Sequence, residues 1–265
     1  HIGVAQVAGG GTVARGAPTA GRAWGCVGLE AGPSAHLFFL AAAQRQFPRV
    51  SGRGALGGRG RGKYSARRVS TLDRLGIQRF GYAGCAFGGA LGLELALRRP
   101  ERVASLALIA ASPRFGTADE FRQRGVVVRS NGLDPIARTS PERWFTSGFA
   151  AAQPAITEWA VQMVRTTDPG CYIAACEALA AFDERAELVG VGVPTLVLVG
   201  SDDQVTGPAE ARTLVAGIPD ARLAVVPGAS HLVPVEQPAA VTDLLVRHFS
   251  TAWQPAFDSG TGQTA

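Results

Sequence analysis

The sequence predicts an α/β fold with a mostly parallel central sheet and helices on both faces. Residues 103–110 and 194–200 are short, uninterrupted apolar runs, which is the pattern of strands buried on both faces of a parallel sheet. A further candidate strand at 78–83 leads into a helical pattern at 89–99, so that these segments form one β-α-β unit. The chain has 265 residues and is 46% hydrophobic, which is sufficient for a single large core.

Helix-breaking residues and hydrophobic periodicity predict the remaining helices and strands. The helix at 89–99 is largely apolar and is expected to stop before Pro100. Residues 222–226 indicate another strand. Residues 238–249 carry Val241, Leu245 and Phe249 at helical spacing, which predicts an amphipathic last helix packed on the sheet.

The order of these elements suggests a core with one large insertion. We expect residues 1–112 and 191–250 to form the core and residues 113–190 to be inserted between strands, with helices near 156–164 and 171–181. Residues 251–265 are rich in glycine and small polar residues and are expected to be a flexible tail.

The composition argues against metal-binding, membrane-spanning and nucleic-acid-binding functions. Cys26, Cys85, Cys171 and Cys176 have neither metal-ligand spacing nor the pattern of a secreted disulfide framework, so no metal, no cofactor and a cytoplasmic location are expected. The longest apolar run of the front half, 37–43, is much shorter than the roughly 20 residues needed to cross a bilayer. The net charge of +5 arises mostly in residues 1–79, but no aromatic interleaving or nucleic-acid motif accompanies it, so nucleic-acid binding is not favoured.

Residues 84–88 carry the chemistry that is most specific in this chain. Gly84-Cys85-Ala86-Phe87-Gly88 has the outline G-x-S-x-G of a nucleophile elbow, with alanine in place of serine. In such an elbow a strand turns abruptly into a helix, and flanking glycines permit the turn so that one side chain stands exposed. The corner is therefore predicted without its attacking oxygen.

Two later strands end in groups that an elbow nucleophile requires. The strand at 194–200 runs into Asp202 and Asp203, at the carboxyl end where open α/β sheets bind ligands. The strand at 222–226 is followed by a loop that ends in His231. The chain order of nucleophile position, acid and base is that of elbow-type hydrolases. An aspartate after a strand can also be a simple turn cap, but the later histidine favours the functional interpretation.

On these residues the chain resembles the α/β-hydrolases, and among them the 3-oxoadipate enol-lactonases of bacterial aromatic degradation. The resemblance covers roughly residues 71–250. It also depends on five shorter segments, at 98–103, 112–116, 143–146, 176–178 and 227–232. It implies hydrolysis of a small, acidic lactone or carboxylic ester, with the inserted helices forming a cap over the site. Oligomeric state is not implied.

The resemblance also assigns roles to residues. Ala86 takes the nucleophile position, and His231 takes the position of the base. Asp203 is preferred to Asp202 as the acid, because family members place the acid three residues after the glycine that ends the strand, here Gly200.

Further roles fall on backbone donors and on the cap. The N–H of Phe87 would supply half of an oxyanion hole, and Leu29 is the candidate for the other half. Arg143 and Trp144 are the expected substrate-binding residues of the cap, and the guanidinium of Arg143 suits a carboxylate. The alternatives are that Arg143 is solvated and that Trp144 is a core aromatic residue.

Four interpretations of Ala86 remain open at this stage. In the first, the serine of a working hydrolase has been replaced, which would remove nearly all acceleration of the reaction. In the second, the chain is a natural pseudoenzyme that binds a small molecule. In the third, it performs base-dependent chemistry with His231 and Asp203 alone, as some cofactor-free dioxygenases of this fold do. Least favoured is that the neighbouring Cys85 is the nucleophile.

Residues 1–70 match the family pattern poorly. Residues 24–29 are the candidate for the strand before the oxyanion loop, and 53–62 faintly resemble the expected Arg-Gly-rich turn. Two interpretations are equally favoured: a divergent front end and a shifted reading frame. Translation of the DNA in the other two frames distinguishes them, because a frame shift requires that one of those frames yield the expected strands and turn.

Overall fold

The computed structural model describes residues 78–252 and the short strand at residues 37–39. In these ranges, five strands form one parallel sheet whose order follows the chain. The strands are β1 (Leu37–Phe39), β2 (Phe80–Cys85), β3 (Val103–Ile109), β4 (Thr195–Gly200) and β5 (Ala221–Val226). Neighbouring strands pair in the order β1-β2-β3-β4-β5, and each pair is parallel.

Helices connect β2 to β3, β3 to β4 and β4 to β5, as parallel pairing requires. Five of the described helices, between residues 118 and 180, lie between β3 and β4, within the segment that the sequence predicts to be inserted. The helices are α1 (Phe87–Arg98), α2 (Ala118–Asn131), α3 (Asp134–Trp144), α4 (Ser147–Ala152), α5 (Pro154–Arg165), α6 (Pro169–Ala180), α7 (Pro208–Gly217), α8 (Val233–Glu236) and α9 (Pro238–Ala252), with a short 3₁₀ turn at Leu188–Gly190.

Both faces of the sheet are covered by helices. Along β3, Leu106 and Leu108 pack in the same cluster as residues of α1 and α7, whereas Ala107 and Ile109 pack in a cluster with Leu245 and other residues of α9. Alternate side chains of a strand point to opposite faces. The uninterrupted apolar run of β3 is therefore explained by burial on both sides, and the predicted α/β fold is confirmed.

The inserted segment contains helices that periodicity did not predict. Helix α2 begins with a capping box, in which the side chain of Thr117 accepts a bond from the N–H of Glu120 (3.2 Å) and the carboxylate of Glu120 accepts one from the N–H of Thr117 (2.7 Å). This satisfies two of the N–H groups that a helix start leaves unpaired. The sequence Thr-x-x-Glu was the available signal for this helix start.

The two ends of the chain complete the description. Helix α9 runs to Ala252, past the predicted end at residue 249. The remainder of the predicted tail, and the front-end segments at 24–29 and 53–62, lie outside the described residues. Within the described ranges, no helix has both the length and the apolar character to cross a membrane.

Candidate active site

The backbone between β2 and α1 makes the sharp corner that the sequence predicts. Ala86 has φ 51° and ψ −116°, a conformation that non-glycine residues rarely adopt and that costs about 1–3 kcal/mol. Its N–H donates to the carbonyl of Ile109 at 2.9 Å. A Cβ at Gly84 would stand 2.3 Å from the carbonyl oxygen of Gly88, so only glycine fits on the strand side of the corner.

Phe87 follows the corner as the first residue of α1. Its backbone N–H has no hydrogen-bond acceptor among the residues that the structure describes. The start of a helix carries partial positive charge, so this N–H can stabilise an oxyanion that forms beside Ala86. Leu29, the candidate for the second donor, lies outside the described residues.

The loops that follow β4 and β5 are joined closely. A Cβ at Gly200 would lie 2.2 Å from the carbonyl oxygen of Ala229, which explains the glycine at the end of β4. The N–H of Ser201 donates to the carbonyl of Val226 (2.9 Å), and that of Asp202 donates to Ala229 (3.0 Å). This contact brings the aspartate loop against the histidine loop.

Asp203 and His231 meet at this junction. Oδ2 of Asp203 lies 3.0 Å from Nδ1 of His231, and both residues are only 4% exposed. Oδ1 accepts bonds from the N–H groups of Val205 (2.7 Å) and Thr206 (3.0 Å). The side chain of Asp202, by contrast, is bonded to Ser201 and is exposed. Of the two aspartates, the structure brings Asp203 to the histidine.

The electrostatics of Asp203 favour its charged form. Burial, the largest influence, opposes ionisation of this carboxyl, but the hydrogen bond and charge of His231, with the two backbone N–H groups, together lower its pKa below the usual value. An ionised carboxylate only accepts hydrogen bonds, so Nδ1 of His231 carries the proton between them. Nε2 is then the nitrogen that can take a proton from a reacting group.

The corner and the loops share one edge of the sheet. Ala86 packs on an apolar cluster that includes Ala229 and Val233, which stand two residues before and two residues after His231. β2, β4 and β5 are parallel, so their carboxyl ends lie at the same edge. The methyl group of Ala86 offers no hydroxyl or thiol there.

Cys85, the neighbour of Ala86, is unsuited to act as a nucleophile. It is 6% exposed and packs in the sheet's apolar cluster on the α9 side. Burial raises the pKa of its thiol to about 12, and the negative charge of Asp203 adds to the increase. Because the thiolate is the reactive form, this thiol is inert near neutral pH.

Arg143 lies half-buried near the end of α3. Burial lowers the pKa of its guanidinium, and the positive charge of Arg124 on α2 lowers it further. Among the described residues Arg143 has no hydrogen-bond or ion-pair partner. The carboxylate of Glu120 on α2 acts on both cations and offsets part of their charge. Two neighbouring guanidinium groups still favour binding of an anion.

Trp144 packs as the core aromatic residue that was the alternative for it, and substrate contact by its indole stays a prediction. The half-buried indole packs against two apolar clusters of the inserted helices, one of which contains Leu232. Its carbonyl oxygen accepts a bond from the N–H of Leu232 at 2.9 Å. The residue after Arg143 therefore contacts the residue after His231.

Three polar residues at or near the site were not singled out from sequence. Thr206 donates its hydroxyl to Oδ2 of Asp203 (3.1 Å), Glu236 accepts bonds from the histidine loop and the inserted helices, and Arg124 adds charge beside Arg143. The spacing Asp-x-x-Thr was a usable signal for Thr206, because a side chain capping the third following N–H is a common local motif. The described part of the chain contains no cluster of three or more potential metal ligands.

Comparison with known proteins places this geometry in a family. The model of the alpha/beta hydrolase fold matches residues 64–238. The 3-oxoadipate enol-lactonase 2 of Acinetobacter baylyi is 36% identical over 172 residues, which cover 65% of this chain and 64% of that enzyme. The crystal structure of the enol-lactonase from Burkholderia xenovorans LB400 superposes with a TM-score of 0.69 at 31% identity, covering 72% of this chain and 73% of that one.

A second enol-lactonase of Acinetobacter baylyi is 30% identical over 170 residues, again with 64% of each chain covered. The chain thus spans about 64% of the length of these two relatives. It belongs to the alpha/beta hydrolase fold family and is related to the enol-lactonases.

Proposed function

We propose that this chain is an enol-lactonase-like member of the alpha/beta hydrolase family that binds a small, acidic lactone or ester and hydrolyses it only at trace level. The observation that carries the proposal is the buried Asp203–His231 pair, bonded at 3.0 Å beside a corner with φ 51° at Ala86. The acid, the base and the corner are present, and the nucleophile is absent.

A serine at position 86 would complete the mechanism. Its Oγ would attack the carbonyl carbon while Nε2 of His231 accepts the hydroxyl proton, and the N–H of Phe87 would donate to the oxyanion. Collapse breaks the C–O bond of the ester, and His231 returns the proton to the leaving oxygen. Water then attacks the acyl group with His231 as the base, and the serine oxygen leaves with the proton.

Arg143 supports an acidic substrate. Its guanidinium is half-buried and lies beside Arg124, and within the described part of the chain it has no hydrogen-bond or ion-pair partner, although the charge of Glu120 acts on it. A substrate carboxylate would add negative charge, and a guanidinium can bind it through two parallel hydrogen bonds.

The test is a comparison of the chain with its Ala86→Ser variant on an enol-lactone and on a simple carboxylic ester. We expect kcat/KM to rise about a thousandfold or more in the variant, because removal of a triad nucleophile costs about that much. Comparable turnover by the two proteins would refute the proposal. Binding without turnover is tested on the unchanged chain, whose Tm should rise with a small acidic lactone.

A second candidate is favoured by the same intact pair. Proton abstraction from a substrate requires only a base, and His231 with Asp203 provides one without help from residue 86. This candidate predicts oxygen consumption with a hydroxylated aromatic substrate, which should disappear in His231→Ala. If no oxygen is consumed, the hydrolase proposal alone stands.

A further inference from the structure

Glu236 joins two segments that are far apart in sequence. Its carboxylate is buried in α8, five residues after His231, and the residue is 8% exposed. Oε1 accepts bonds from the N–H (2.8 Å) and the hydroxyl (2.7 Å) of Thr146, and Oε2 accepts one from the N–H of Ser230 (2.5 Å). One end of the carboxylate therefore holds the inserted helices, and the other holds the histidine loop.

Together, the hydrogen bonds of Glu236 to Thr146 and Ser230 form a bridge, and a further hydrogen bond joins the same two segments. The N–H of Leu232 donates to the carbonyl of Trp144 at 2.9 Å. Ser230 and Leu232 flank His231, so the backbone on both sides of the histidine is tied to residues 144–146 or to the glutamate that holds them. The bond to Asp203 fixes the imidazole at Nδ1, and these contacts fix the backbone from which it extends.

The bridge requires a carboxylate rather than any polar side chain. All three of its partners are neutral donors, and among the described residues no cation pairs with Glu236. A buried charge is tolerated only when hydrogen bonds compensate for the lost solvation. A glutamine of the same size would turn an NH₂ group toward either Ser230 or Thr146, where a second donor already stands.

We infer that Glu236 is a positioning residue, which holds the His231 loop and residues 144–146 as one unit so that the base and the substrate-binding segment keep their mutual position. The kinetic consequence rests on the proposed function, because it is measured in the Ala86→Ser background. Nothing in the inference requires Glu236 to touch the substrate.

The kinetic test uses Glu236→Gln in Ala86→Ser. We expect kcat to fall about tenfold or more with a smaller change in KM, because a small displacement of a general base costs rate before it costs binding. Glu142→Gln is the matched control, since it removes the same charge from an exposed glutamate of α3 and should leave both constants within twofold. An effect confined to KM, or none, overturns the inference.

Variants of Thr146 keep the test decisive if Glu236→Gln does not fold. Thr146→Val removes the hydroxyl that donates to Glu236 and that also accepts a bond from the N–H of Phe149 at the start of α4. It should lower kcat in the same direction by a smaller factor. Thr146→Ser restores that donor and should recover at least half of the loss. Equal activity of the valine and serine variants contradicts the inference.

An NMR measurement on the unchanged chain separates this inference from the proposed function. The Nδ1 proton of His231 is bonded to Asp203 and should give a low-field signal that can be assigned by its loss in His231→Ala. Glu236→Gln should shift or remove that signal, and Glu142→Gln should leave it in place. If Ala86→Ser shows no hydrolysis, the proposed function fails while this test still stands; an unmoved signal in Glu236→Gln defeats the positioning role alone.

Discussion

The corner at Ala86 and the loops at Asp203 and His231 are built in different ways. The corner depends on backbone shape, with φ 51° at Ala86 and a glycine at position 84 where any Cβ would collide. The loops depend on side-chain chemistry, because Asp203 receives bonds from His231, Val205 and Thr206. The corner therefore has its sharp shape with alanine at position 86, and shape and chemistry are specified by separate residues.

The largest expected effects come from the loops. In Ala86→Ser, we expect His231→Ala and Asp203→Asn each to lower kcat by about 10³–10⁴-fold, since a triad loses its function when the base or its orienting acid is lost. Ester hydrolysis measured at substrate saturation checks this. The control is Asp202→Asn, an exposed neighbour that should change kcat less than twofold. If Asp202→Asn were as harmful as Asp203→Asn, the assignment of the acid would be wrong.

Of the two regions, the corner should lose more stability when side-chain volume is added. Gly84→Ala places a methyl group 2.3 Å from the carbonyl oxygen of Gly88, and we expect the free energy of unfolding to fall by about 3 kcal/mol. Urea unfolding measures the loss. Gly88→Ala is the matched control, because nothing lies within 4 Å of a Cβ at that position, and it should be close to neutral. Equal losses in the two variants would contradict a steric origin.

A second buried histidine can be compared with His231, because its ring nitrogen faces a guanidinium instead of a carboxylate. His248 in α9 faces Arg222, with Nδ1 3.3 Å from a guanidinium nitrogen, and burial together with that positive charge lowers its pKa to about 4. The unfolded chain takes up this proton near pH 6.5, so the stability present above pH 6.5 is lost as the pH falls toward 4. We expect a loss of about 2 kcal/mol between pH 7 and pH 5 from this group.

Urea unfolding at the two pH values measures that loss. His248→Phe removes the titrating group and keeps a ring beside Phe249, so its stability should vary less with pH over the same range. An unchanged pH dependence in His248→Phe would show that other groups cause it.

The smallest expected effect concerns the strain at the corner. Ala86→Gly removes the Cβ from a residue at positive φ, and we expect a gain of up to about 1 kcal/mol in the free energy of unfolding. The same substitution at Ala90, inside α1, should cost about 1 kcal/mol or more. Opposite signs at these two positions, measured by thermal or urea unfolding, support backbone strain; a loss at both contradicts it.

Local patterns were enough to predict four of the five described strands and the connections between those four, whereas β1 was not predicted. Strands β2 to β5 and helices α1 and α9 lie within a few residues of their predicted bounds, because uninterrupted apolar runs and helical periodicity reflect burial on the two faces of the sheet. The short helices between β3 and β4 were harder. Helix α2 is mostly polar and is fixed by the capping box at Thr117 and Glu120 rather than by an apolar stripe.

The parts of the candidate site that the sequence did not predict depend on long-range contacts. Thr146 and Glu236 are 90 residues apart and become neighbours only when the inserted helices fold onto the histidine loop. No local spacing marks such a pair. Asp203 and His231 were predicted because each follows a strand, and strand ends converge whatever the intervening chain does.

The independence of the corner from its side chain has a genetic consequence. Every alanine codon becomes a serine codon by one base change, from GCN to UCN. A gene that encodes this backbone therefore stands a single point mutation from encoding a hydroxyl at position 86, with the glycine hinge at Gly84 and the bond from Ala86 to Ile109 already in place. Gain of a hydroxyl on such a scaffold needs only that one mutation, for as long as those contacts are maintained.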